Sequence, residues 1–297
     1  MTGTGPLAER LSRVDRPSRL CLVSNVKSGS NDAETLDRLA ALLVTPDTEL
    51  ALHVCFPDDP LPTPAELDTA GIGTLVVFTG DGTLKATLDA LAGWGGAVLV
   101  LPGGTMNLLF HRLHGEASSE EVIAALHAGT LHRVQPKVIR CSAGHAYAGL
   151  LAGPGTAWNQ VREAMRDADV VEIASGTMAA MAETLAAPGV ACTAPPLGRS
   201  EGYPLLLLDP HDDGIVLTAF HAEEPGEYLA QAWALLRRNF REGPHEELGK
   251  APAVTLEGYG GEPFGLLLDG EPAEACTADR FELVRCQVDL LASVPHG

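Results

Sequence analysis

Three short apolar runs in the first half of the chain each lead into a turn that contains glycine. The runs cover residues 20–24, 75–78 and 97–101. Between them, apolar residues recur at helical spacing over 33–44 and 84–91, and residues 50–56 have strand-like composition. Strands that are apolar on both faces and alternate with helices are typical of a parallel sheet covered by helices. The sequence therefore predicts an α/β domain with a parallel sheet in the first half.

The pattern changes after a further predicted helix at residues 119–128. From about residue 135, Gly and Pro recur and several segments alternate between apolar and polar residues. Only residues 159–167, with a continuation toward residue 185, and residues 227–240 keep helical spacing. The alternating segments are 137–141, 205–208, 214–220, 253–258, 265–269 and 280–290. Such alternation predicts strands with one buried face. We therefore expect an α/β domain over residues 1–134 and a mainly antiparallel domain over residues 135–297.

The charge balance argues against two classes of partner. The 297 residues include 39 Asp and Glu against 20 Lys and Arg, so the net charge is 20 − 39 = −19, and no run of basic residues occurs. Binding through nucleic-acid phosphates or anionic lipid head groups requires a basic surface. We therefore expect no nucleic-acid partner and no strong electrostatic docking on a membrane.

Three further features indicate a cytoplasmic protein. No apolar stretch approaches the roughly 20 residues that a membrane-spanning helix needs. The first twenty residues lack the apolar core of a signal peptide and are expected to be a mobile N-terminus. Six cysteines lie far apart without a C-x-x-C pair, which argues against zinc ribbons and disulfide frameworks.

The three glycine-containing turns, residues 24–31, 79–83 and 102–107, indicate a site for phosphate groups. Each follows a predicted strand and precedes a predicted helix, the last of which begins at about residue 106, and the carboxyl ends of parallel strands meet at one edge of a sheet. Backbone N–H groups and helix N-termini at that edge bind anions. A single Gly-Asp-Gly turn is more often only a tight turn, but three at one edge favour a ligand site. Neither a G-x-G-x-x-G fingerprint nor a P-loop sequence is present, so those mechanisms do not fit.

These residues resemble a known family. Thr79-Gly-Asp-Gly-Thr-Leu84 is similar to the G-G-D-G-T-L signature of the diacylglycerol kinase catalytic domain family, which includes bacterial soluble lipid kinases and sphingosine and ceramide kinases. Pro102-Gly-Gly-Thr-Met-Asn107 resembles its P-x-G-T-x-N element, and residues 25–29 resemble its N-P-x-S-G opening. Leu268-Asp-Gly-Glu271 resembles the D-G-E of its second domain. The four elements agree in order and spacing over nearly the whole chain.

The resemblance implies an α/β nucleotide domain and a β-sandwich domain with the active site between them. It also implies ATP as donor, Mg²⁺, a lipid hydroxyl as acceptor, and Glu271 as general base. The residues that it implies for the nucleotide site are Asn25, Ser28, Gly29, Gly80, Asp81, Gly82, Thr83, Gly104, Thr105 and Asn107.

Two carboxylates in these motifs fit phosphoryl transfer on chemical grounds. Asp81 on a phosphate-facing loop is unfavourable beside anions unless Mg²⁺ lies between them, although a helix-capping role is compatible with the same position. Glu271 follows Asp269-Gly270 and would by itself be a hairpin residue, but together with the first-half loops it is interpreted as the base that accepts the hydroxyl proton.

A structural Mg²⁺ in the second domain is a further implication of the resemblance. Asp213 and the carbonyl of Ile215 would bind it, and a plain Asp-Gly turn between two strands is an equal alternative.

Five positions depart from the family pattern: Thr79, Val26, Lys85, Cys55 and Gln135 stand where Gly, Pro, Asn, Thr and Asp are usual. These changes affect the rim of the motifs more than their core.

The sequence thus predicts a cytoplasmic lipid kinase that visits the inner face of the membrane, with diacylglycerol as the first candidate acceptor and a sphingoid base or ceramide as the next. Residues 178–185 are the candidate wall of an acyl-chain pocket. Two alternatives stay open: a kinase of the same superfamily that acts on a soluble nucleotide cofactor, and a catalytically silent lipid-binding or regulatory module.

Overall fold

The computed structural model describes residues 16–25, 33–104, 106–154, 189–220 and 245–293. Ser28, Gly29, Thr105, the predicted helices at 159–167 and 227–240, and the candidate acyl-chain wall at 178–185 lie outside the described residues. In the described ranges, no helix has both the length and the apolar character that crossing a bilayer requires.

The first sheet has six strands. In chain order they are β1 (Arg19–Ser24), β2 (Glu49–Cys55), β3 (Thr74–Thr79), β4 (Ala97–Pro102) and β5 (His132–Val134), with a last strand, β18 (Asp289–Ala292), from the end of the chain. Their spatial order is β2-β1-β3-β4-β18-β5, and all neighbours are parallel except β18 and β5. Residues 20–23, 75–77 and 98–101 are almost wholly buried, as expected for strands covered on both faces.

Within the described ranges, five helices accompany this sheet: α1 (Ala33–Leu43), α2 (Pro64–Thr69), α3 (Asp81–Ala90), α4 (Leu108–His114) and α5 (Ser119–Ala128). The apolar face of α1 buries Leu36, Leu39 and Leu43 in the same core as the sheet. Helix α2 was not expected from the sequence, and it begins with a capping box in which the side chains of Thr63 and Glu66 each accept the other residue's backbone N–H.

The second part of the chain forms two antiparallel sheets. Its strands are β6 (Lys137–Cys141), β7 (Gly144–Ala146), β8 (Leu150–Pro154), β9 (Val190–Ala194), β10 (Pro196–Leu197), β11 (Leu205–His211), β12 (Gly214–Phe220), β13 (His245–Ala251), β14 (Ala253–Gly258), β15 (Phe264–Leu268), β16 (Glu271–Cys276) and β17 (Ala278–Arg285), with a 3₁₀ turn at Tyr259–Gly261. The sheet orders are β10-β9-β14-β17-β6-β7 and β13-β12-β11-β8-β15-β16. Both sheets contribute to one core, for example through Val254 and Phe281 on one side and Leu206 and Leu266 on the other. The predicted fold class, a parallel α/β layer followed by an antiparallel sandwich, is confirmed.

Residues 280–290 do not form the single alternating strand that the sequence predicts. The structure divides it into β17 and β18, which belong to different sheets. Between them, the N–H of Cys286 donates to the carbonyl of Pro136 at 2.9 Å, and the carbonyl of Gln287 accepts from Gly93 at 2.9 Å. These contacts end the ladder of β17 and lead the chain back to the first sheet. The division at residue 134 stays a prediction, but residues 289–292, which it assigned to the second domain, pair with β4 and β5.

All six cysteines, which lie within the described ranges, are free thiols.

Candidate active site

The three predicted phosphate turns lie together at one edge of the first sheet. They follow β1, β3 and β4, which are consecutive neighbours in the sheet. The amide Nδ2 of Asn25 after β1 donates to the hydroxyl of Thr83 at 3.0 Å. At Gly104 after β4, a Cβ atom would lie 2.7 Å from the Cα of Gly80. The loops are therefore in contact, and two of them approach so closely that only glycine fits.

Asp81 begins α3 and joins the second loop to the third. Its Oδ2 accepts the N–H of Asn107 at 3.1 Å and its Oδ1 accepts the N–H of Leu108 at 3.2 Å. Desolvation by the surrounding protein, together with the nearby charge of Asp269, raises the pKa of Asp81 to about 7 against the effect of these hydrogen bonds. The helix-capping alternative for Asp81 is thus present in the structure, but on α4 rather than on the helix that Asp81 itself begins.

Asn107 closes the third loop on itself. Its backbone is left-handed, with φ of 51°. Its side chain accepts the N–H of Gly104 at 2.7 Å and donates to the carbonyl of Gly104 at 2.8 Å. The amide therefore holds the loop shape, and its predicted contact with the nucleotide stays a prediction.

Glu271 reaches the second loop from the other part of the chain. It begins β16 after a two-residue hairpin turn in which Asp269 and Gly270 both have positive φ, 50° and 88°. A Cβ atom at Gly82 would lie 3.0 Å from Oε1 of Glu271, and one at Gly270 would lie 3.2 Å from the sulfur of Met106. The structure thus brings Glu271 and the Gly-Asp-Gly loop together, although they are far apart in sequence.

The carboxylate of Asp269 anchors this hairpin turn, which the sequence analysis did not foresee. It is 5% exposed and accepts three backbone N–H groups, from Tyr147 and Ala148 at 2.7 Å and from Gly149 at 3.2 Å. Burial raises the pKa of Asp269 to about 6, while the three hydrogen bonds oppose that rise. The only sequence signal for Asp269 is its place in the Asp-Gly-Glu motif.

Arg112 and Tyr147 are two further residues that the sequence analysis missed. The guanidinium of Arg112 on α4 is 6% exposed and donates to the carbonyls of Tyr147 and Pro210, the latter at 3.0 Å. The hydroxyl of Tyr147 donates to Oδ1 of Asp89 at 2.8 Å, and Lys85 contacts Oδ2 of the same carboxylate at 2.8 Å. Burial, followed by the charge of Asp89, raises the pKa of Tyr147, so this hydroxyl keeps its proton.

Two of the residues that depart from the family pattern form contacts that fit them into the site. Thr79 lacks a positive φ, and its hydroxyl donates to the carbonyl of Gly80 at 3.1 Å. Lys85, in place of the usual Asn, forms the ion pair with Asp89. Neither change obstructs the Gly-Asp-Gly turn.

The site is suited to a magnesium ion that arrives with a nucleotide. Asp81 is electrostatically coupled to both Asp269 and Glu271. Within the part of the chain that the structure describes, no three His, Cys, Asp or Glu side chains form a ready-made metal site. Mg²⁺ usually takes one or two carboxylates and completes its shell with waters and substrate phosphates. The carboxylates near the glycine loops fit that mode of binding.

The second predicted metal site, Asp213 with the carbonyl of Ile215, lies elsewhere. Asp212 and Asp213 form the two-residue turn between β11 and β12. Lys250 on β13 contacts Oδ2 of Asp213 at 2.6 Å, and its hydrogen bond and charge lower the pKa of Asp213. The turn alternative is therefore present, with an ammonium group on the carboxylate, and Mg²⁺ binding there stays a prediction.

The comparisons with known proteins agree with the motifs and the fold. Residues 19–139 match the model of the family described as "Diacylglycerol kinase catalytic domain". The structure of a diacylglycerol kinase from Bacillus anthracis str. Sterne aligns with 94% of this chain and 98% of its own, at 14% identity and a TM-score of 0.57. Two further structures from that organism, described only provisionally as diacylglycerol kinases, have TM-scores of 0.55 at 16% and 15% identity, and cover 94% and 93% of this chain and 98% of their own. No protein of curated function matches significantly. At these identities the structures show a shared fold.

Proposed function

We propose that the protein is an ATP-dependent lipid kinase, because residues 19–139 match the family model of the diacylglycerol kinase catalytic domain. It transfers the γ-phosphate of ATP to a lipid hydroxyl, with diacylglycerol as the first candidate acceptor and a sphingoid base or ceramide as the next. The observation that carries the proposal is the contact of Glu271 with the Gly-Asp-Gly loop, where a Cβ at Gly82 would lie 3.0 Å from Oε1. It brings a carboxylate base next to a backbone suited to phosphates.

The glycine loops bind the nucleotide phosphates in this proposal. Close packing of Gly80 against Gly104 lets backbone N–H groups approach phosphate oxygens without interference from side chains. The first turn of α3 supplies further N–H groups and the positive end of the helix dipole. Asn25 and Thr83, already joined to each other, border the same edge, and the proposed roles of Ser28, Gly29 and Thr105 complete the nucleotide site.

Glu271 acts as the general base. Its carboxylate accepts the proton of the lipid hydroxyl while the hydroxyl oxygen bonds to the γ-phosphorus and the bond to the β–γ bridging oxygen breaks, which leaves ADP. Mg²⁺ bound with the nucleotide would neutralise charge on the phosphates, and Asp81 is the residue proposed to hold it. Asp269 keeps the hairpin turn in place so that Glu271 faces the loop.

The contacts of the cationic side chains on α3 and α4 favour a lipid acceptor over a soluble polyanion. A soluble polyanionic acceptor requires Lys or Arg groups that point into the cleft. Lys85 instead binds Asp89, and Arg112 binds two backbone carbonyls. We therefore propose a cytoplasmic enzyme that meets its substrate at the inner face of the membrane without firm attachment.

The test is an ATP-consumption assay with diacylglycerol, sphingosine and ceramide in mixed micelles, and with soluble nucleotide cofactors in parallel. Glu271→Gln should lower kcat by about 10²- to 10⁴-fold. Glu274→Gln, three residues along the same strand and exposed, makes the same chemical change away from the loop and should leave kcat unchanged.

Each contrary result points to a different error. Turnover of soluble acceptors alone would exclude a lipid kinase. Failure of Mg-ATP to bind in a calorimetric titration would favour a silent module. Full activity of Glu271→Gln would show that another group accepts the proton.

A further inference from the structure

Tyr147 uses all three of its polar groups, and two of them, the carbonyl and the hydroxyl, connect the two parts of the chain. Its N–H donates to Oδ2 of Asp269 at 2.7 Å, and its carbonyl accepts from Arg112 on α4. Its hydroxyl donates to Oδ1 of Asp89 on α3 at 2.8 Å. The residue is 6% exposed, so these bonds form in a site from which water is largely excluded.

These contacts belong to a closed ring that includes the candidate active site. Gly82 in the first turn of α3 lies next to Glu271, whose Oε1 would be 3.0 Å from a Cβ at Gly82, and Asp89 in the last turn of the same helix accepts a hydrogen bond from the Tyr147 hydroxyl. Asp89 follows Gly82 by seven positions, which corresponds to about 10 Å along a rigid helix. From Tyr147 the ring returns through Asp269 to Glu271, two residues further along.

The ring has one link that a minimal substitution outside the hairpin can break. The three N–H groups that hold Asp269 belong to the backbone of 147–149, and only a change of Asp269 itself, two residues from Glu271, would remove these bonds. The bond between Tyr147 and Asp89 depends on a single hydroxyl, and it ties this segment to α3 together with the longer contact of His145 Nδ1 with the same carboxylate oxygen at 3.5 Å. Without it, the hairpin that carries Glu271 keeps its own shape but loses one constraint on its distance from the Gly-Asp-Gly loop.

We infer that Tyr147 is a positioning residue, whose hydrogen bond to Asp89 fixes Glu271 against the Gly80–Thr83 loop. The inference rests on the proposed function, in which Glu271 is the base. A general base contributes only when it is within hydrogen-bond reach of the proton it accepts, so a small displacement of Glu271 lowers kcat without weakening nucleotide binding.

The experiment compares Tyr147→Phe with Tyr203→Phe. Tyr203 is also buried, and its hydroxyl accepts a hydrogen bond from the N–H of Arg199 within the sandwich, so the control loses an equivalent group outside the ring. Tyr147→Phe should lower kcat by about 10-fold with an unchanged KM for Mg-ATP, whereas Tyr203→Phe should change neither. Asp89→Ala should give a similar loss, and the double variant Tyr147→Phe/Asp89→Ala should lose no more than either single variant.

Amide hydrogen exchange supplies a second readout that needs no turnover. In Tyr147→Phe, exchange in the segments around 147–149 and 269–271 should be about 10-fold faster, and in Tyr203→Phe it should be unchanged there. If no lipid is phosphorylated, the proposed function fails, and this measurement still decides whether the hydroxyl holds the hairpin. Unchanged exchange, unchanged kcat, or fully additive losses in the double variant would each overturn the positioning role.

Discussion

Asp81 makes the stability of the nucleotide-free protein depend on pH in an unusual direction. Desolvation, aided by the charge of Asp269, raises the pKa of Asp81 from 3.8 to about 7. Between these pH values the folded protein holds a proton that the unfolded chain releases, so ionisation of Asp81 opposes folding as the pH rises.

We therefore predict that, in EDTA and without nucleotide, ionisation of Asp81 lowers the free energy of unfolding as the pH increases from about 4 to 7. Thermal unfolding of wild type and Asp81→Asn between pH 5 and pH 8 measures the effect. The wild type should lose more Tm than the variant over this range, because Asn does not ionise. Equal slopes for the two proteins would show that Asp81 is already ionised at pH 5 in the folded state.

The residues of the site differ in how far the sequence could predict them. Gly80, Gly82 and Glu271 belong to motifs, and the order of strands explains why the motifs meet. The partners of Asp269 could not be predicted, because the backbone N–H groups of 147–149 lie in a segment without a motif and reach Asp269 only through tertiary structure. Tyr147 was missed for the same reason.

At the scale of a single element, α3 combines a structural and a functional requirement in its first turn. Gly82 lies inside this helix, where alanine is favoured over glycine by about 1 kcal/mol. A Cβ there would lie 3.0 Å from Oε1 and 3.2 Å from Cδ of Glu271, so that carboxylate would have to move.

Gly82→Ala should therefore keep or slightly raise Tm while it lowers kcat by about 10- to 100-fold. Steady-state kinetics and calorimetry on the same preparation test the two effects together. Gly73→Ala is the matched control, since a Cβ at Gly73 meets no atom within 4 Å, and it should leave kcat unchanged. A Gly82→Ala variant with wild-type kcat would mean that Glu271 has room to move without loss of function.

Helix α2 and the break between β17 and β18 were not predicted from the sequence, for two different reasons. Helix α2 begins with Thr63-Pro-Ala-Glu66, which is a local capping signal. The acidic, proline-rich residues before it favour a loop, and the helix was therefore not predicted. The break between β17 and β18 depends instead on distant contacts, such as the bond from Cys286 to Pro136. Local propensity could have predicted the first but not the second.

At the scale of the whole molecule, the charge of −19 governs how the proposed enzyme reaches its substrate. An anionic membrane repels such a protein on average, and salt weakens that repulsion because the Debye length falls to about 10 Å at 0.1 M. At low ionic strength, activity on vesicles should therefore fall as the fraction of anionic lipid rises, and added salt should restore it. Activity measured against salt on neutral and anionic vesicles tests this prediction, and stronger activity on the anionic vesicles at low salt would contradict it.

The return of β18 makes the fold of the first sheet depend on the end of the described chain. β18 lies between β4 and β5, and Leu290, Leu291 and Ala292 are fully buried. Next to it, Ser293 bonds the buried His114 at 2.8 Å. Without this strand, β4 would expose an apolar edge and β5 would lose its partner in the sheet.

A fragment of residues 16–134 should therefore not unfold cooperatively, even though it contains all the glycine loops. Since Pro136 and Cys286 are joined by a hydrogen bond of 2.9 Å, a short Gly-Ser linker suffices to connect residues 16–136 to 286–293. The linked fragment should recover a cooperative urea transition, followed by circular dichroism, because it restores the central strand. The same linked fragment with Leu290→Asp should lose the transition, since a carboxylate would enter the core at a position that is fully buried. Cooperative unfolding of residues 16–134 alone would show instead that β4 and the helices suffice without β18, and that the first domain is independent of the end of the chain.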